Sequence, residues 1–236
     1  MNIWYLLIKM IFRIYMLFFI PKVKVCGREN LIEGPKILVA NHPNMSDAFV
    51  LPFIFSEKLT YLIQARTCSL PVVGWLLRKS GQIPVVKGEG RTALGTALAC
   101  LAQGGTVVIF PEGKLNHGRG LCRAGSGAAV LAKQSGVPVL PIGFYVSPRD
   151  TLILKGKIQN RKRFAYWQVR GCCHVHIGEP WKVTASSESE IPRLRLRAIT
   201  KRMMAQIADL VQEAHDEAEA ENHQIGRGYQ IPQTTQ

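Results

Sequence analysis

The apolar residues of this chain come in short runs whose period changes along the sequence. "KILVAN" (36–41), "LTYLIQ" (59–64), "QIPVV" (82–86), "TVVIF" (106–110) and "VPVLPIGFY" (137–145) are strand-length and rich in β-branched residues. "KVKVCGREN" (22–30) alternates as a strand does, and "CHVHIG" (173–178) reads as a last short strand. Between them the spacing switches to three and four. "DAFVLPFIF" (47–55), with Ser46 or Asp47 as N-cap, "PVVGWLLRKSG" (71–81), "RTALGTALACLAQGG" (91–105) and "GSGAAVLAKQSG" (125–136) read as helices. Apolar strands separated by helices of about 10–15 residues predict an α/β fold, with a mostly parallel central sheet flanked by helices. In such sheets ligands bind where strands end, which singles out the loops after "ILVAN" and "TVVIF".

The two ends of the chain depart from this rhythm. "MNIWYLLIKMIFRIYMLFFI" is apolar at all but a few positions, and Pro21-Lys22 stops it. Lys9 and Arg13 interrupt its middle and no small-residue cleavage site follows, which is not the pattern of a cleavable signal. On a helix Asn2, Lys9 and Arg13 fall within roughly 40° of one another, with Tyr5 beside them. A charge at the bilayer centre costs several kcal/mol, so this stripe favours a helix lying in the membrane interface over a spanning one. A helix buried against the protein is the third reading. At the other end, "SSESEIPRLRLRAITKRMMAQIADLVQEAHDEAEAEN" (186–222) sets Leu196, Ile199, Met203, Ile207, Leu210 and Ala214 on one helical face. It begins basic and ends acidic, against its own macrodipole, and reads as a solvated packing helix. The chain thus divides into a membrane-associated helix (1–21), an α/β domain (22–184), and a C-terminal amphipathic helix with a flexible tail (185–236).

Charge narrows the partners. Among 236 residues, Lys and Arg number 30 against 16 Asp and Glu, a net charge of +14. Nucleic acid, an anionic membrane surface and phosphate-bearing substrates all suit such an excess. No aromatic–basic interleaving or nucleic-acid motif is present, and nucleic acid leaves the apolar amino terminus unexplained. The expected partner is a membrane surface, with the domain facing the cytosol. Six cysteines without framework spacing read as reduced thiols. Cys172, His174 and His176 share one face of a strand, but three neighbouring ligands without a second cluster are poor zinc spacing. No metal site is expected there, only edge-strand residues. "KGKIQNRKR" (155–163) reads as a solvated loop or a contact for lipid headgroups or a carrier partner, and His117 as a loop histidine.

"NHPNMSD" (41–47) places His42 and Asp47 five apart. On a regular helix that spacing leaves the side chains about 140° apart, so they meet only if residues 43–46 turn, and Pro-Asn-Met-Ser is turn composition. A histidine held by a carboxylate has its tautomer fixed and its imidazolium stabilised, as a general base requires. No G-x-S-x-G supplies a serine nucleophile nearby, so the proton comes from a substrate. "FPEGK" (110–114) ends the strand "TVVIF" with an acid, a glycine and a lysine.

Taken in order, "ILVANHPNMSDAFVL", "GQIPVVKG", "TVVIFPEG" and "VPVLPIGF", with "HIGEP" as a closing strand, resemble the four motifs of the glycerolipid acyltransferase superfamily, above all 1-acylglycerol-3-phosphate acyltransferases. The resemblance runs from about Gly27 to Pro180. It implies that His42 deprotonates the free hydroxyl of a lysolipid, that Asp47 orients His42, and that the oxygen attacks an acyl thioester directly. The donor is acyl-CoA or acyl-carrier protein as co-substrate, with no further cofactor. The resemblance gives Glu112 an acceptor-site role, as hydrogen-bond acceptor or as orienter of basic residues, and Gly113 a close backbone approach. The chain also departs from the pattern. Lys114, Leu115 and Asn116 follow FPEG where Thr-Arg-Ser is usual, and Lys87 stands where the second motif usually has arginine. Lysine keeps the charge but loses bidentate recognition, and Arg119 and Arg123 stand downstream as replacements. Other lysolipids (a lysophospholipid or amino-acid lipid), a thioesterase, and a non-catalytic basic membrane-surface binding protein are the alternatives.

Overall fold

The computed structural model describes residues 2–158, 161–183 and 193–228. Its strands are β1 (Lys22–Cys26), β2 (Lys36–Ala40), β3 (Leu59–Gln64), β4 (Ile83–Val85), β5 (Thr106–Ile109), β6 (Val139–Val146), β7 (Thr151–Ile158), β8 (Arg161–Gln168) and β9 (Cys172–Ile177). Its helices are α1 (Ile3–Phe19), α2 (Asp47–Ile54), α3 (Ala65–Cys68), α4 (Pro71–Lys79), α5 (Gly90–Ala102), α6 (Gly127–Ser135) and α7 (Arg193–Gly228). Each run read as a strand joins one seven-stranded sheet of order β1-β9-β6-β2-β5-β3-β4. Neighbours are parallel except β6 and β9, which pair antiparallel.

The sheet is buried on both faces, as its apolar strands require. On β2, Leu38 and Ala40 join Val50, Leu51, Met16 and Ile20 beneath α1 and α2. Ile37 and Val39 point the other way, to Ala97, Leu131, Met203 and Ile207 of α5, α6 and α7. Gly143 permits this second layer to close, because a Cβ there would lie 2.5 Å from the Leu210 backbone.

Three expectations change. Residues 155–158 and 161–163 are not loop but strand: Thr151–Ile158 and Arg161–Gln168 pair antiparallel as a separate two-stranded sheet, the hairpin. Alternation in "TLILKGKI" and "RKRFAYWQ" is weak because Leu152, Ile153, Leu154 and Phe164 are all exposed, so no single face is apolar. Strand β9 is internal, lying between β1 and β6, so "CCHVH" is not an edge. The polar stripe of α1 runs along the protein contact, with Tyr5 buried, Lys9 half-buried and Asn2 and Arg13 still exposed. Asn2 donates to Lys79 O, the Tyr5 hydroxyl accepts from Leu59 N, and Lys9 and Arg13 sit 5.4 and 5.6 Å from the Phe53 ring centroid. Ile3, Leu6, Met10, Ile14, Leu17 and Phe18 on the rest of α1 are exposed. No described helix is long and apolar enough to cross a membrane. The boundary at 184 and the terminal tail after 228 lie outside the described residues.

Candidate active site

Strand β2 ends in Asn41, whose side chain copies a ladder pair with β6: Nδ2 donates to Phe144 O (2.9 Å) and Oδ1 accepts from Phe144 N (2.7 Å). The chain then leaves the sheet at His42, turns through residues 43–46, and enters α2 at Asp47. Ser46 occupies the cap position, but its hydroxyl accepts from Gln168 N instead of capping. The turn brings His42 Nδ1 to 3.2 Å from Asp47 Oδ2. That oxygen also accepts the Asn44 backbone N–H at 2.7 Å.

Asp47 is 1% exposed and His42 18%. Burial pushes the Asp47 carboxyl above its usual range, against the pull of its bond to His42. An ionised Asp47 only accepts, so the proton between the pair belongs to Nδ1. The Nε2 lone pair is left for a substrate. The imidazole stacks on Phe110 at 4.0 Å and 11°, which fixes the ring plane.

Phe110 and Pro111 end β5, and Glu112 turns inward. Its Oε1 accepts from His42 N (3.2 Å) and Asn116 Nδ2 (2.8 Å), and its Oε2 from Cys122 N (2.5 Å). Asn116 N closes the loop on His42 O at 2.9 Å. Glu112 thus accepts hydrogen bonds from the protein's own loops, and none of these three donors is a basic side chain. Gly113 forms the turn that follows. Its φ is +62° with open space around a Cβ, so the left-handed turn is what demands glycine.

The basic residues Lys114, Arg119 and Arg123 are exposed on the loop after FPEG. Desolvation pushes the His117 imidazole down, and the charges of Arg119, Lys114 and His42 add to it, so these groups lie near one another. Lys87 is exposed just past the end of β4, two strands from β5 in the same sheet.

Sequence reasoning missed the roof of this site. The hairpin is clipped to the His42–Asp47 turn: Met45 N donates to Tyr166 O (2.8 Å) and Thr151 Oγ1 to Asn44 Oδ1 (3.4 Å). Tyr166 stacks on His117 at 3.9 Å. His117 itself sits at φ +61°, a backbone state that a simple loop histidine rarely adopts. That aromatic run in "FAYWQ" was the available signal.

Fold and site together define an α/β domain that carries a carboxylate-held histidine at its strand ends. The chain belongs to the acyltransferase family, whose profile matches residues 22–145. It is 30% identical over 126 residues to a 1-acyl-sn-glycerol-3-phosphate acyltransferase of Chlamydomonas reinhardtii, covering 51% of this chain and 38% of that one. Against the enzyme of that name from Saccharomyces cerevisiae it is 29% identical over 164 residues, 67% and 51% of the two chains. The chain therefore spans about half or less of these two relatives' length. A lyso-ornithine lipid O-acyltransferase of Pseudomonas aeruginosa matches at 25% over 193 residues, 75% and 70% of the two chains. The crystal structure of the 1-acyl-sn-glycerophosphate acyltransferase PlsC from Thermotoga maritima superposes with a TM-score of 0.65 at 22% identity, over 89% of this chain and 78% of that one.

Proposed function

We propose that this protein transfers an acyl chain from an acyl thioester to the free hydroxyl of a lysolipid at a membrane surface. The leading acceptor is 1-acyl-sn-glycerol-3-phosphate, giving phosphatidic acid in phospholipid biosynthesis. The observation that carries this reading is the 3.2 Å contact of His42 Nδ1 with Asp47 Oδ2, which leaves Nε2 open. In the reaction His42 Nε2 takes the hydroxyl proton as the oxygen attacks the thioester carbonyl. The tetrahedral intermediate then collapses, the C–S bond breaks, and the leaving thiolate receives the proton back from the imidazolium. Asp47 holds the imidazolium meanwhile. Base catalysis of this kind contributes about 10²–10⁴ in rate, and holding both substrates in line supplies much of the rest.

The donor is acyl-CoA or acyl-carrier protein, and the apolar outer face of α1 rests in the lipid interface with the domain on the cytosolic side. That face is what supports membrane association. Two observations support a second acceptor, a lysolipid without a free phosphate monoester. Leu115 stands where the family commonly has arginine, and the lyso-ornithine lipid enzyme is among the relatives. A lysolipid panel assayed with both donors and read by mass spectrometry decides between them. His42→Ala should abolish transfer while leaving the fold intact; retention of more than about a tenth of the activity contradicts a base worth 10²–10⁴.

A further inference from the structure

Strand β9 alternates strictly: Cys173, Val175 and Ile177 enter the core beneath α1 and α2, so His174 and His176 face α7. In the β1–β9 pairing, Cys26 lies opposite His176 and Lys24 opposite His174. The acidic end of α7 meets them. One atom, Glu217 Oε2, lies 2.9 Å from His176 Nε2, 3.5 Å from His174 Nδ1 and 3.6 Å from Cys26 Sγ. The ligating atoms of Cys26, His176 and Glu217 all fall within 4.8 Å of one another. The second cluster that "CCHVH" lacks in sequence is therefore supplied by β1 and α7, some 40 residues downstream in the case of Glu217.

We propose that Cys26 Sγ, His176 Nε2 and Glu217 Oε2 bind one zinc-class divalent ion, with water completing the tetrahedron. Tetrahedral zinc, with bonds of about 2.0–2.3 Å, sets its ligand atoms about 3.3–3.6 Å apart. The Cys26–Glu217 contact at 3.6 Å already has that spacing, and the His176 contact at 2.9 Å opens by a few tenths of an ångström. A thiolate and a carboxylate neutralise the +2 ion, and the thiol proton goes to solvent. Thiolate with imidazole selects zinc over calcium or magnesium, which take oxygen ligands.

The surroundings agree with this assignment. Glu213 Oε2 lies 3.4 Å from His176 Nδ1, the outer carboxylate that fixes the ring with Nε2 turned inward. The ammonium of Lys24 is engaged by Glu221, which removes Glu221 as a ligand and leaves Glu217 as the shared one. The three ligands come from β1, β9 and α7 and none from the His42–Asp47 turn, so the ion pins α7 to the sheet and takes no part in acyl transfer.

The test uses the full-length, untagged protein in detergent, with Co²⁺ and Zn²⁺ as probes. After dialysis, roughly one zinc per chain should remain by elemental analysis. Co²⁺ loading should give a thiolate-to-cobalt band in the near ultraviolet with strong tetrahedral bands in the visible. Cys26→Ser should abolish the thiolate band and lower retained zinc at least about tenfold, while Cys172→Ser, on the neighbouring strand position, should change neither. Zinc should raise the melting temperature of the parent and not of Cys26→Ser. If a variant fails to fold, the cobalt spectrum of the parent stands alone as the test. Retained zinc well below one per chain, or a cobalt spectrum without the thiolate band, overturns the proposal and leaves Glu217 as a metal-free hydrogen-bond clamp.

Discussion

Glu112 Oε1 accepts the backbone N–H of His42 at 3.2 Å, tying together two loops whose residues stand 70 apart in the chain. The carboxylate is buried and holds three donors, so it sets where the histidine backbone lies relative to the β5 end.

Glu112→Gln replaces one acceptor oxygen with a donor that faces either Cys122 N or the His42 and Asn116 groups. A buried donor left without its partner costs about 1–3 kcal/mol. The melting temperature and kcat should therefore fall together, whereas the KM for the lysolipid should change little. A large rise in KM with unchanged stability contradicts the bracing role.

Asp47→Asn separates activity from stability. The neutral amide no longer enforces the Nδ1–H tautomer, so kcat should fall by about 10²–10⁴. Burial raises the Asp47 carboxyl, so ionising it costs the folded chain more than the unfolded one. That penalty is absent below the unfolded value of about 3.9 and is complete once pH exceeds the raised folded value. The stability of Asp47→Asn relative to the parent should therefore rise with pH across that window. Denaturant unfolding of both proteins at acidic and neutral pH measures it.

Lys87, Lys114, Arg119 and Arg123 are tested together as a phosphate clamp. A lost charged hydrogen bond is worth about 1.5–3 kcal/mol, or roughly 10- to 150-fold in binding. Glutamine at Lys114 or Arg119, whose charges reach His117, should raise the lysophosphatidate KM several-fold and leave kcat nearly unchanged. If no single or paired replacement does so, the acceptor carries no phosphate monoester.

The outward face of α1 gives a membrane prediction that leaves the core intact. Deleting residues 1–20 would remove Tyr5, Ile8, Met16 and Ile20, all buried, and so would test folding instead. Serine at Ile14, Leu17 and Phe18 alters only exposed side chains. Flotation with anionic vesicles should show most of the protein released, while acyl transfer to a lysolipid in micelles persists. Unchanged flotation assigns membrane binding to another surface.

The sheet was legible in the sequence because its strands are buried on both faces and so read as short apolar runs between amphipathic helices. "HPNMSD" was legible as a turn, and with it the meeting of His42 and Asp47, because a local turn is encoded within six consecutive residues. The hairpin was not, since Leu152, Ile153, Leu154 and Phe164 are exposed on a pair of strands whose partners are mainly each other. Nor was the direction of the α1 stripe, because periodicity fixes which residues share a face but not what that face meets. Asn2, Lys9 and Arg13 lie together by helical geometry, and only the packing of α1 brings them against α2 and α4. The same holds for Glu112, whose partners His42 and Cys122 come from two separate loops, and for Glu217, which meets Cys26, His174 and His176 through strand pairing and helix docking. Local sequence determined elements and turns; contacts between residues far apart in the chain depend on how those elements pack, which no single segment encodes.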